Sequence, residues 1–362
     1  MDRIPIQGLS VSGYRIPTDA PEADGTLSWE ATTMVLVRVE AGGRQGLGWS
    51  YAHRCTGELI RDKLASLVEG LDALDIPRAH GAMVGAIRNQ GRPGISAMAI
   101  AAVDIALWDL KGKLLELPLC RLLGQVRDSV PLYGSGGFTS YGVQQLQDQL
   151  SGWVADGIIR VKMKVGQHPQ DDVPRVAAAR EAISDAELFV DANGAYSRKQ
   201  ALAFAGAFAQ YGVSWFEEPV SSDDLEGLRL LRDRGPAGMA ISAGEYGYDL
   251  YYFRRLLEGG CVDVLQADAT RCAGISGFLQ AGNLCRAYGV PFSAHCAPYL
   301  HLHAGLSLES LAHLEYFHDH VRIETRLFDG ADPPRDGHLH PDLSRPGLGL
   351  ELRERDAAPY AL

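Results

Sequence analysis

From Val130 onward, short apolar runs alternate with stretches whose apolar residues recur at helical spacing. The runs near residues 130–134, 158–165, 187–191, 213–217, 239–244, 262–267, 290–294 and 313–316 read as eight strands. Between them, residues 143–155, 172–183, 197–209, 225–232, 249–257, 275–288 and 300–311 predict seven helices. Strand and helix alternating in this way predict a parallel α/β barrel, which carries its active site at the C-terminal ends of the strands.

The first part of the chain follows another pattern. Residues 4–12 and 31–40 are β-branched and partly alternating, and read as strands joined by a long polar hairpin loop over 14–30. Gly42, Gly43, Gly46 and Gly48 mark turns, and residues 49–55 predict a second loop before a helix starting near Thr56. Ser96 is placed to cap a helix over 97–117, interrupted by Asp104 and Asp109 and closed by Pro118. Residues 124–129 read as a connection. The domain boundary therefore falls before Val130, and the segment after residue 318, rich in Pro, Gly and charge, is expected to return to the first domain.

Composition narrows the function classes. A net charge of −11, with no local block of Lys and Arg, excludes a nucleic-acid footprint. The N-terminus lacks a signal-peptide pattern, and the apolar run over 97–103 is broken by Asp104, so a soluble cytoplasmic protein without membrane contact is expected. The six cysteines show no CxxC spacing, which predicts reduced, mostly buried thiols.

The candidate chemistry lies at the predicted strand ends. Asp191, Glu217 and Glu245 each follow an apolar run, Glu217 trailing Asp191 by 26 residues and Glu245 trailing Glu217 by 28. Singly, each could cap the next helix; at near-constant spacing on successive strands they predict one hard divalent cation, with oxygen-only ligation favouring Mg²⁺. On the second strand Lys162 and Lys164 share a face, so one should depress the other's pKa and prepare it as a general base. Asp268 and His295 end the sixth and seventh strands, where the carboxylate can fix the imidazole tautomer. Glu315, near the eighth strand, is a candidate to contact substrate. Cys296 should point away from His295, because adjacent strand residues face opposite sides. His301, His303, His318, His320, His338 and His340 carry no spacing signal.

Taken together, Lys162-Met163-Lys164, Asp191/Glu217/Glu245 and His295 with Asp268 resemble the enolase superfamily, and within it the mandelate racemase subgroup. Residues 104–113, DIALWDLKGK, look like that family's capping-domain helix. The resemblance implies a modified (β/α)7β TIM barrel over residues 129–318, an N-terminal α+β capping domain over 1–128, and a C-terminal segment, 319–362, that completes the cap. It also implies removal of the α-proton of a small-molecule carboxylate substrate to give an enediolate, with Lys164 and His295 on opposite faces. In this scheme Lys162 tunes Lys164, Asp268 supports His295, and Glu315 binds or protonates the carboxylate. Glu218 is left as a neighbour of the ligands, and a homo-oligomer is expected.

Two outcomes follow from one intermediate. Loss of a β-hydroxyl gives an acid-sugar dehydratase, and reprotonation gives a racemase or epimerase; a non-catalytic binding barrel is the remote alternative. The polar inventory of residues 14–30 (Arg15, Thr18, Asp19, Glu22, Asp24, Thr26, Ser28) and of 49–55 (Tyr51, His53, Arg54) suits a hydroxylated substrate and favours dehydration.

Overall fold

A computed structural model describes residues 3–362. The chain opens with a three-stranded antiparallel sheet, β1 (Gly8–Ala23), β2 (Ser28–Ala41) and β3 (Arg44–Tyr51). Three short helical pieces follow: α1 (Cys55–Leu59), a π-helical turn (Ile60–Leu64) and α2 (Ala65–Val68). Then come α3 (Ile76–Ala86), α4 (Ile95–Leu114) and α5 (Leu119–Leu123). The central helix α4 is buried along nearly its whole length, and it packs on β2 and β3. Such burial needs small side chains where backbones meet. A Cβ at Gly46 would lie 2.1 Å from the Ala106 carbonyl oxygen.

The two aspartates that interrupt the α4 pattern are fully buried ties. Asp109 pairs with Lys113 at 2.9 Å and accepts the backbone N–H groups of Leu47 and Leu348, each at 2.8 Å, joining the sheet, the helix and the C-terminal segment. Asp104 accepts the Ser276 N–H and hydroxyl at 2.9 and 2.6 Å, anchoring α4 to the barrel. A buried carboxylate is tolerated where its lone pairs are taken up in this way.

The barrel has eight parallel strands. They are β4 (Val130–Gly136), β5 (Arg160–Lys164), β6 (Glu187–Asp191), β7 (Val213–Glu217), β8 (Ala240–Ala243), β9 (Val264–Ala267), β10 (Phe292–Ala294) and β11 (Leu311–Phe317). Pairing of β11 with β4 closes the ring. The helices between successive strands are α6 (Val143–Ala155), α7 (Pro169–Ile183), α8 (Arg198–Ala209), α9 (Leu225–Arg234), α10 (Leu250–Glu258), α11 (Gly274–Tyr288) and α12 (Pro298–Gly305). This is a modified TIM barrel of the (β/α)7β kind with an antiparallel sheet domain in front of it. An eighth helix, α13 (His318–Leu327), follows β11 directly. Beyond it, β12 (Phe328–Asp329) pairs with β14 (Glu351–Leu352), β13 (His338–Leu339) adds to β4, and residues 347 and 361 bridge back to 118 and 14. No helix among the described residues is long and apolar enough to cross a membrane, and all six cysteines are free.

Four local expectations are corrected. The hairpin loop is not residues 14–30 but the turn between β1 and β2, where Asp24 Oδ1 accepts the backbone N–H groups of Thr26 and Leu27 at 2.6 and 2.7 Å. The strands run on through the polar residues because a register shift between Pro17 and Glu22 absorbs the irregularity. Residues 49–51 likewise continue β3. Ser96 lies inside α4, with Gly94 at the cap position. The last barrel helix ends at Gly305, and Leu311 already begins β11.

Candidate active site

The acids and lysines meet inside the mouth of the barrel. Asp191 and Glu217 are the last residues of β6 and β7 and sit opposite each other in register. Glu245 follows β8 through Gly244, whose φ is +138° and where a Cβ would lie 2.0 Å from the Gln266 carbonyl oxygen. Only glycine allows that approach, and the approach swings Glu245 into line with the other two. One carboxylate oxygen from each of the three lies within 4.8 Å of the others, and all three side chains are buried.

These residues fit a divalent cation. Three buried carboxyl groups from successive strands offer an all-oxygen donor set, and Glu245 Oε2 is buried with no hydrogen-bond partner. Burial and the adjacent Asp191 charge hold the Glu217 carboxyl well above the usual carboxylate range. Asp191 goes the other way: burial opposes ionisation, but Lys164 and Lys162 outweigh it and bring the carboxyl down to about 2.

Lys162 is fully buried, with Nζ 2.5 Å from Glu217, 2.8 Å from Glu315 and 3.4 Å from Asp191. It also sits 5.2 Å over the ring of Tyr133, whose neighbours Phe189 and Trp215 floor the barrel. Lys164 Nζ is 2.5 Å from Asp191. A net lowering of one lysine's pKa by the other, expected from their shared face, is not found. Burial and Lys162 do push Lys164 down, yet the carboxylates, Asp191 first, more than offset them and hold both ammoniums above their ordinary value.

Across the mouth, His295 Nδ1 is 2.9 Å from Asp268 Oδ2, and its Nε2 is 3.3 Å from Glu245. Hydrogen bonding and charge from His295 overcome burial and hold Asp268 well below the usual range. Ionised Asp268 accepts the Nδ1–H and so leaves Nε2 as the nitrogen able to take up a proton. Glu315 is also buried; it accepts the Cys296 backbone N–H at 2.7 Å and pairs with Lys162, which keeps it ionised against the burial cost.

A cavity of about 350 Å³ opens over this set. Lys164, Glu245, Asp268 and His295 line it, whereas Lys162, Asp191, Glu217 and Glu315 stand behind its wall. Of the residues expected to recognise substrate, Asp24, Tyr51 and His53 line the cavity; Arg15, Thr18, Asp19, Glu22, Thr26, Ser28 and Arg54 do not. Glu218 is buried with one oxygen unpartnered and lies outside the triad.

Sequence reasoning missed several lining residues. Arg271 pairs with Glu245 at 3.2 Å and lies over the Tyr246 ring. His320, at the start of α13, stacks on Tyr51 with ring centroids 3.6 Å apart. Trp29 comes from β2 and not from a loop. Cys296 was expected to face away, but its φ of +52° lies outside the strand's extended geometry and turns Sγ to 3.2 Å from His295 Nε2. The Arg271 guanidinium, three residues after Asp268, was the one with a legible signal.

Comparison with known proteins identifies the family. Residues 15–124 match the model of the mandelate racemase / muconate lactonizing enzyme N-terminal domain, and residues 145–357 match that of the enolase C-terminal domain-like family. A mandelate racemase/muconate lactonizing enzyme-like protein from Rubrobacter xylanophilus is 58% identical and superposes with a TM-score of 0.97 over 99% of this chain and 100% of that one. L-talarate/galactarate dehydratase from Salmonella typhimurium is 34% identical over 86% of this chain and 78% of its own. Its structure liganded with Mg and L-lyxarohydroxamate superposes with a TM-score of 0.89 over 99% of this chain and 93% of that one. The 3,6-anhydro-alpha-L-galactonate cycloisomerase of Streptomyces coelicolor is 34% identical over 92% of this chain and 96% of its own.

Proposed function

The chain belongs to the mandelate racemase / muconate lactonizing enzyme family of the enolase superfamily, and on that premise we propose that it is a Mg²⁺-dependent acid-sugar dehydratase. The observation that carries the reading is that a lysine and an aspartate-paired histidine open into one cavity beside three clustered carboxylates. The kinship supports it, since relatives at 30% identity or more include L-talarate/galactarate dehydratase and arabinonate dehydratase.

Asp191, Glu217 and Glu245 would hold the cation, which when bound would supply positive charge to the substrate carboxylate. Lys164 Nζ and His295 Nε2 are the two positions from which a proton can be taken up or given. One receives the α-proton, leaving an enediolate. The β-hydroxyl leaves as water after taking a proton, and the enol gains a proton at the β-carbon to become a 2-keto acid. Asp268 keeps the imidazole oriented throughout. Lys162, fixed by three carboxylates, stays charged and stabilises the negative charge beside it. Tyr51, His53 and Asp24 offer hydrogen bonds to hydroxyl groups from the sheet domain.

The same pair of proton-moving groups also suits an epimerase, in which the α-carbon is reprotonated on its other face. Incubation with Mg²⁺ and a panel of acid sugars in D₂O separates the two. A 2-keto acid deuterated at the β-carbon supports dehydration, α-deuterium without loss of water supports epimerisation, and neither across the panel leaves a binding barrel.

A further inference from the structure

A second set of metal-ligating side chains comes together where the β1–β2 ribbon meets α13. One carboxylate oxygen each from Asp19 and Glu22 and one imidazole nitrogen of His318 lie within 4.8 Å of one another. The irregular register between Pro17 and Glu22 brings the two acids to this place, and His318 is the first residue of α13. His318 Nε2 is 2.9 and 3.1 Å from the two Asp19 oxygens.

Glu22 distinguishes this cluster from a surface ion pair. Its side chain is fully buried, Oε2 accepts the Trp29 indole N–H at 2.8 Å, and Oε1 is buried with no partner at all. A second buried carboxylate, Asp319, stands close by. The nearby cation, Arg322, turns its Nη2 to Asp319 and to the Pro17 carbonyl oxygen at 2.5 and 2.7 Å and not to Glu22. An unpaired carboxylate oxygen out of water, beside two further acids, needs either a retained proton or a counter-cation.

We propose that Asp19, Glu22 and His318 form a second divalent-cation site, distinct from the barrel triad, which fastens the ribbon to α13. One imidazole nitrogen with carboxylate oxygens is a donor set for Mn²⁺ or Zn²⁺, in contrast to the all-oxygen triad. Asp19 is exposed and His318 partly so, which gives an ion access from solvent and room for water ligands. Because Glu22 holds Trp29, and Trp29 lines the active-site cavity, the ion stiffens one wall of that cavity. The site stands whichever reaction the barrel performs.

Titration of the chelator-stripped full chain with Mn²⁺, counted by electron paramagnetic resonance, tests it. The wild type is expected to bind two ions per chain, Asp191→Asn one, and Glu22→Gln and Asp19→Asn one each. In the Asp191→Asn background, Mn²⁺ should raise Tm, and adding Glu22→Gln should abolish that rise. Asp19→Asn changes an exposed side chain, so it stands as the test if Glu22→Gln fails to fold. One ion per wild-type chain, or two retained in a folded Glu22→Gln or Asp19→Asn variant, would overturn the proposal. Two ions retained in Asp191→Asn would count against the triad assignment instead.

Discussion

The floor of the active site and the wall above it are built on different rules. On the floor, Lys162, Asp191, Glu217 and Glu315 are fully or almost fully buried, each within ion-pair distance of another, Asp191 and Glu217 at the ends of barrel strands and Lys162 and Glu315 within them. The wall is made of Asp24, Trp29, Tyr51, His53 and His320, gathered from the sheet domain and α13, and it holds through ring stacking and single hydrogen bonds. Charges on the floor have no water to fall back on, so removing one strands its partners. Wall residues can be exchanged at small cost. Chemistry fixed below and recognition adjustable above is what a fold shared by dehydratases and cycloisomerases requires.

The contrast can be broken most directly on the floor. Asp191→Asn, or chelation of the wild type, should abolish turnover measurably in a 2-keto acid assay, while circular dichroism shows the fold retained; full activity in EDTA would refute the metal assignment. Lys164→Ala and His295→Asn should each lower kcat by about 10²- to 10⁴-fold or more, the usual worth of a positioned acid or base. Asp268→Asn acts through His295, and a loss of about 10- to 100-fold, falling on kcat more than on KM, is expected. On the wall, Tyr51→Phe removes a hydroxyl that donates to Glu324 at 3.1 Å and is proposed to accept a hydrogen bond from a substrate hydroxyl. At about 1 kcal/mol for one hydrogen bond, it should raise KM about fivefold and leave kcat nearly unchanged. A loss of kcat as large as that of Asp268→Asn would erase the distinction between the two regions.

One feature is common to both. Burial lowers His313, a β11 residue whose ring meets Tyr133 edge-on beneath the floor, and His320 on the wall to about 3. The unfolded chain takes up these protons near pH 6.5 and the native state does not, so stability is full above that pH and falls as pH drops from about 6.5 toward 3. Each imidazole contributes a slope of about 1.4 kcal/mol per pH unit. Urea denaturation of His320→Gln between pH 7 and 5 should show one proton less of that slope.

The floor was far more legible in the sequence than the wall. Parallel strands covered on both faces appear as continuous apolar runs, so β4–β11 stood out, and the 26- and 28-residue intervals brought Asp191, Glu217 and Glu245 into one group. The wall depends on how a ribbon docks over the barrel, and docking has no period. Residues 14–30 looked like a loop because their polarity hid an antiparallel ribbon whose register shifts once. Helix α13 escaped notice because its buried face carries Asp319, His320 and Glu324 beside Ile323 and Leu327. Cys296 was misjudged because alternation of faces fails where φ turns positive. The lysine pKa values were not legible because the carboxylates that hold them up come from other strands and outnumber the two ammoniums.

The central claim, that Lys164 and His295 move a proton at the α-carbon of an acid sugar, is tested most directly by proton NMR of substrate turnover in D₂O with Mg²⁺, comparing the wild type with Lys164→Ala and His295→Asn. The expected result is a 2-keto acid deuterated at the β-carbon from the wild type and none from either folded variant. Turnover or α-proton exchange that survives undiminished in both variants would contradict it.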